Sequence, residues 1–384
     1  MIRRLQRSAL LRTILTSMFV LFMLAAAHLF MVVINAAERA YEYPDPAMGQ
    51  SARLFSDRPM TEEIEAALAS AKTMEDQAVL EDALQRVEAG ETIALRTLPV
   101  TQFLWLTALG LCAVGLFLIW TTSRIKSDAA QSIVGIFGGN LLWTGGIEYG
   151  LTLASRSMGI GKTIGVVDGQ LYARYGEYVL LKHTWGPLAL ITVYLMFLES
   201  SRCPMFLWMR RNVPTMRGPI VSGRIGNYGP RSAFQYSTTV WAFYLLLLWA
   251  YDESVFGVYS LATKGILFAS VAGAIYCLWR LHQQRGWGPA VRYAVAAMCV
   301  VWTPIEIFAK WGVLREPWLL LEPTTAVIFF GGLALGTWAL VRAQRKPKLE
   351  RAPVDPGELE ATIDSVPAPK LKLAARKTSS EVAA

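Results

Sequence analysis

Eight apolar runs, each near the 20 residues a helix needs to cross a bilayer core, constrain this chain more than any other feature. They fall at about 14–34, 100–120, 133–153, 179–198, 233–250, 260–279, 291–309 and 318–341. Charged residues are only 17% of the 384, against about 25% in a soluble globular protein. So few charges cannot clothe one or two cores in a solvated surface. The expected fold class is therefore all-α: a polytopic membrane helix bundle of about eight transmembrane helices.

Basic residues give the orientation. Arg3, Arg4, Arg7 and Arg12 lie at the start, and Arg124 and Lys126 follow the second run. Six arginines from Arg202 to Arg231 follow the fourth, and Arg280, Arg285 and Arg292 follow the sixth. The end carries Arg342, Arg345, Lys346, Lys348 and Arg351. Every second connection is basic, which predicts that both termini are cytoplasmic and that the chain is multi-pass in a cell inner membrane. The net charge of +8 is then a topology signal, and no nucleic-acid partner is expected.

Four regions follow: an uncleaved N-terminal anchor helix (1–36), an extracytoplasmic amphipathic helical cap (37–99), a seven-helix membrane bundle (100–342) and a disordered cytoplasmic tail (343–384). In the cap, acids such as Glu62, Glu63, Glu75, Asp76, Glu81 and Asp82 surround apolar Ile64, Leu68, Leu80 and Leu84 at helical spacing. Thr61 followed by acids reads as the start of a capped helical pair. The tail lacks apolar periodicity.

Four cysteines without a C-x-x-C pair argue against a disulfide framework or a zinc site. Three histidines are too few for a membrane cytochrome or a His-box di-iron enzyme. No cofactor is identified.

A self-match stands out. Trp120 and Trp143 are 23 residues apart, as are Trp279 and Trp302. The later tryptophans open the phrases Trp143-Thr144-Gly145-Gly146-Ile147-Glu148 and Trp302-Thr303-Pro304-Ile305-Glu306. Both lie on runs predicted to pass from inside to outside, so they imply a parallel internal repeat with two glutamates at matching depths.

An ionised side chain deep in a bilayer costs roughly 2.5–3.5 kcal/mol or more, so each one needs a reason to be there. Glu148 belongs to a stripe with Asn140, Thr144 and Thr152 at four-residue spacing. Gly135/Gly139 and Gly146/Gly150 are small-x-x-x-small pairs that permit close helix approach. The bland alternative for the stripe is interhelical hydrogen-bond glue. Glu306 has Lys310 four residues on, which predicts an ion pair. Glu177 and His183 enter the fourth run from outside. Glu148, Glu306 and His183 are thus the candidate proton-handling group, with Asn140, Thr144, Glu177 and Lys310 as candidate substrate or pairing residues. One histidine and three carboxylates also leave a metal site open.

Several motifs fail. Gly159-Ile160-Gly161-Lys162-Thr163 lacks the first glycine of a P-loop. Gly223-Arg224-Ile225-Gly226-Asn227 is similar to the first half of the prolipoprotein diacylglyceryl transferase signature, but Gly229-Pro230-Arg231 replaces its continuation. Pro304-Ile305-Glu306 resembles the Pro-x-Glu motif of membrane lycopene cyclases, with Ile307 where that family has a second acid. Neither activity is carried over.

The expected function is handling of a lipophilic or lipid-like substrate in an outer-half intramembrane cavity with a Glu/His acid–base group. The alternatives are a proton-coupled transporter and a non-catalytic membrane subunit of a larger complex. The expected partners are the lipid bilayer, a lipophilic small molecule and a periplasmic or membrane protein.

Overall fold

The computed structural model describes residues 9–56, 58–71, 73–197 and 226–344. The tail from 345 and most of the basic loop, including Arg202 to Arg224, lie outside the described residues. Among the described residues, five helical spans are long and apolar enough to cross a membrane: Ala9–Tyr41, Gln102–Arg124, Leu261–His282, Trp287–Lys310 and Pro323–Gln344.

Helix α1 (Ala9–Tyr41) has 33 residues, about 50 Å at the helical rise, so it overruns a bilayer core by several turns. Strand β1 (Ser51–Leu54), helices α2 (Met60–Ser70) and α3 (Met74–Glu88) and strand β2 (Leu95–Thr97) follow. Helix α4 (Gln102–Thr121) starts at Thr101, whose hydroxyl accepts from the Leu104 N–H, while Glu42, just past the end of α1, accepts from the Gln102 and Phe103 N–H groups. Helix α5 (Asp128–Leu142) is capped by Ser127 and runs into a six-residue π-helical turn, Trp143–Glu148, before α6 (Tyr149–Met158). Gly159, at φ +65°, ends α6 in the left-handed conformation that favours glycine.

Strands β3 (Ile160–Gly161), β4 (Thr163–Val167) and β5 (Gln170–Arg174) lead to α7 (Gly176–Lys182) and α8 (Trp185–Phe197), which are separated at His183–Thr184. Then come α9 (Gly229–Tyr251), α10 (Leu261–His282) and α11 (Trp287–Lys310). A short α12 (Pro323–Ala326), a π-helical turn (Val327–Gly331) and α13 (Gly332–Gln344) complete the last span.

Helix α11 sits at the centre of the bundle. Ala290, Ala294 and Ala297 are fully buried, and their small side chains let neighbouring helices approach. Phe19, Val20 and Met23 of α1, Ile136 of α5 and Tyr236 of α9 complete its core. Of the two predicted glycine pairs, Gly135 and Gly139 do bring helices together: a Cβ on either would meet the α9 backbone, at 2.3 Å from the Gly229 oxygen and 2.6 Å from the Ala233 oxygen. Gly146 and Gly150 meet no neighbouring backbone. Gly145 takes that role, against Ala108 of α4.

The all-α expectation needs correction, because five strands form one sheet in the order β3-β1-β2-β5-β4. It is built from two connections far apart in sequence. β1 pairs antiparallel with β2, while β1–β3 and β2–β5 are parallel pairs between the two connections. The signal lay in Thr163 to Arg174. Ile164, Val166 and Val167 on one side and Leu171 and Tyr172 on the other flank Asp168-Gly169, a two-residue turn with φ +46° and +68°. That is the strongest short hairpin signature a sequence offers. The predicted helical pair in 37–99 is present and packs on this sheet through Ile64, Leu80 and Ala83 against Leu95, Ile164 and Ala173. Its cap differs from the expectation: α2 starts after Pro59 with no side-chain cap, and Thr73 caps α3 through the Asp76 N–H. Sheet and helix pair together form the cap.

A buried ion pair joins α1 to α6 where they meet the cap, and the Thr97 hydroxyl of β2 donates to the Arg156 carbonyl there at 2.9 Å. Arg156 at the end of α6 forks onto Glu38 of α1, with Nη1–Oε1 at 2.6 Å and Nη2–Oε2 at 3.0 Å. Thr101 donates to the same carboxylate at 2.5 Å. Arg156 is thus a structural pin.

Candidate functional site

Beneath the cap lies a cavity of about 460 Å³, within the size range of small-molecule sites. Its apolar wall comes from Leu24 of α1 and from Val240, Phe243, Leu247 and Leu248 of α9. Tyr244 and Tyr251 of α9 and Tyr178 of α7 add aromatic surface. Cys299, Trp302, Glu306 and Lys310 reach it from α11. The roof is polar and belongs to the cap: Ser56, Arg58, Glu63, Lys162 and Thr163. The site is therefore apolar within the bundle and charged at one end, the polarity of an amphiphile.

Glu306 carries the chemistry of this wall. The Trp302 indole N–H, one helical turn back, donates to its Oε1 at 2.7 Å. The Trp302 ring packs against both the His28 ring (centroids 5.9 Å apart, 25° between planes) and the Trp318 ring (4.7 Å). His28 Nδ1 is 2.9 Å from the Leu24 carbonyl oxygen. A carbonyl only accepts, so Nδ1 holds a proton and Nε2 is the atom left to take or give one. Glu316, in the segment after α11, also lines the cavity. Burial and then the neighbouring Glu306 carboxylate raise its carboxyl above the usual range, against the opposing pull of Lys310 and His28.

Glu148 is buried but does not line the cavity. Trp143 Nε1 donates to its Oε1 at 2.8 Å, and the Trp143 ring packs 6.2 Å from that of Tyr244 in the cavity wall. Glu148 thus stands one aromatic layer behind the cavity, within electrostatic range of His28 and Glu177. The two matched phrases make the same bond, tryptophan indole to glutamate. The first phrase has one more residue between the partners, and the π-helical turn absorbs it.

The remaining candidates are placed as follows. Asn140 accepts from the Tyr236 hydroxyl at 2.8 Å, inside the α5–α9 contact. Thr144 is buried within the π-helical turn. Glu177 is half-buried in the first turn of α7. His183 is exposed at the end of α7, its Nδ1 donating to the Val179 carbonyl at 2.8 Å, away from the cavity lining. Lys310, expected to pair with Glu306, is exposed and lies 5.7 Å from the centre of the Tyr251 ring. Among the described residues, no group of three His, Cys, Asp or Glu side chains converges to hold a metal ion.

Sequence reasoning missed His28, Glu316 and Trp318 as site residues. A lone histidine in an apolar run carries no signal of its own, and Glu316 and Trp318 sit at the edge of the apolar run 318–341. Comparison of this chain with protein-family models, curated proteins and solved structures finds no match.

Proposed function

We propose that this chain is a multi-pass inner-membrane protein that binds a lipophilic or lipid-like molecule in the cavity beneath its extracytoplasmic cap. It handles protons there through Glu306 and His28. The observation that carries this reading is the polarity of the cavity: aliphatic and aromatic within the bundle, with a carboxylate and an imidazole on its wall and charged groups across its roof. A carboxyl in such surroundings is a general acid or base that works without a redox cofactor. The basic residues at the ends of α4 and α10, away from the cap, support the orientation. The paired tryptophan–glutamate bonds support a duplication of α5 to α6 in α11, with the π-helical turn recording a one-residue insertion in one copy.

A second reading has its own support. Glu148 stands behind the cavity, within range of His28 in its wall. That series of protonatable groups also suits a proton-coupled transporter.

Native mass spectrometry after mild extraction is the test. The wild type is expected to hold one lipophilic molecule, and Leu248→Trp, which fills the cavity, is expected to release it. Glu306→Gln keeps the molecule bound and abolishes its proton-dependent conversion or movement. Equal occupancy in wild type and Leu248→Trp refutes the site. Flux in proteoliposomes that collapses with the proton gradient selects the transporter.

A further inference from the structure

Residues 311–322 join α11 to the last span, and they have two faces. On one, the Trp318 ring is buried against Trp302, and Glu316, Trp318 and Leu319 line the cavity. On the other, apolar side chains stand open: Val313 is 66% exposed, Leu320 46% and Leu321 52%. Twelve residues between two membrane-crossing helices cannot carry this surface far from the bilayer. Exposed apolar side chains resume at Val327 and Ile328, in the first turns of the span itself. Arg315 and Glu322, both exposed, flank Glu316 to Leu321, and charges at the ends of an apolar stretch suit lipid headgroups. The aqueous side of the cavity is different in kind, being roofed by Arg58, Glu63, Lys162 and Thr163 of the cap.

We propose that 312–322 is sunk into the leaflet on the cap side and forms the wall through which the cavity loads from bilayer lipid. An amphiphile leaving that leaflet passes Leu320 and Leu319 with its chain still in apolar surroundings. Its headgroup moves beneath the charged roof and never crosses the aqueous face. Apolar loop side chains inserted at the acyl boundary supply the anchoring. The loading route rests on the lipophilic reading of the cavity. The insertion of the segment does not.

The test is photo-cross-linking of full-length protein in vesicles of phosphatidylethanolamine and phosphatidylglycerol. The photoreactive residue p-benzoylphenylalanine is introduced in place of Leu320, of Leu319 or of Glu81, an exposed residue of α3 in the cap. Lipid adducts are expected at 319 and 320 at about tenfold the yield at 81. Equal yields at 320 and 81 overturn the insertion, and adducts at 320 without any at 319 overturn the lateral opening. In a second arm, the double variant Leu320→Asp/Leu321→Asp takes up a pyrene-labelled lysophospholipid from vesicles about tenfold more slowly, with an unchanged unfolding temperature. Unchanged uptake overturns the loading route. Glu306→Gln is expected to keep the cross-link at 320, so failure of the acid–base reading and failure of this one give different results.

Discussion

Glu306 and Glu148 share one partner type and differ in access. Each accepts from a tryptophan indole, which provides a hydrogen bond to the carboxylate at positions where water is scarce. Glu306 faces the cavity, whereas Glu148 reaches it only across the Tyr244 layer. Asp252, in the turn after α9, is an acid of another kind. Burial works against its charge, but Lys182, the Ser254 hydroxyl and the Ser254 N–H outweigh burial and bring the carboxyl down to about 2. A folded value below the unfolded one of about 4 means that this stabilisation is complete above pH 4 and is lost as pH falls through 2. Asp252→Asn is therefore expected to cost roughly 2 kcal/mol at pH 7 and to flatten the acid-side loss of stability. Thermal unfolding in detergent at pH 7 and pH 3 checks this. A wild type and variant that lose stability in parallel between those values contradict the assignment.

At the scale of the element, helix approach is set by which glycines face a neighbouring backbone. Four-residue spacing alone does not separate them. Gly139 lies against Ala233 of α9, and Gly150 has open space around the position of a Cβ. Gly139→Ala is expected to push α9 away and to cost about 1–3 kcal/mol. Gly150→Ala, on a helix with room for a methyl group, is expected to be neutral or to stabilise by a few tenths of a kcal/mol. Comparative unfolding temperatures of the two variants are the measurement, and equal losses would show that the glycine spacing, not the contact, matters. The π-helical turn Trp143–Glu148 acts at the same scale. It lets a phrase one residue longer than Trp302–Glu306 still close its tryptophan–glutamate bond.

For the whole molecule, the cap and bundle are one construction. The sheet takes strands from the connection after α1 and from the connection after α6, so neither half of the cap closes without the other. Glu38 and Arg156 lie at that junction, both nearly inaccessible to solvent. Arg156→Ala leaves a buried carboxylate unpaired and is expected to cost about 3–5 kcal/mol, with faster proteolysis of the cap. Glu38→Ala/Arg156→Ala together is expected to cost less than Arg156→Ala alone, because no uncompensated charge remains. A double variant worse than the single one would show that the pair does more than neutralise itself.

Apolar runs, basic connections and the helical period of 62–88 were legible in the residue order, because hydropathy and periodicity act locally along the chain. Glu148, Glu306 and the matched tryptophan phrases were legible as well, since an acid in an apolar run stands out without any fold. The sheet was half-legible: Asp168-Gly169 announces a hairpin, but no local signal pairs β2 with β5 or β1 with β3. Partner choice decided the rest. Glu306 binds Trp302 rather than Lys310, and His183 turns back to its own helix. His28, a single imidazole in a long apolar run, gains meaning only because α1 packs beside α11 and stacks it on Trp302. Which groups share a cavity depends on distances between helices far apart in sequence, and those are set by close packing across the whole bundle.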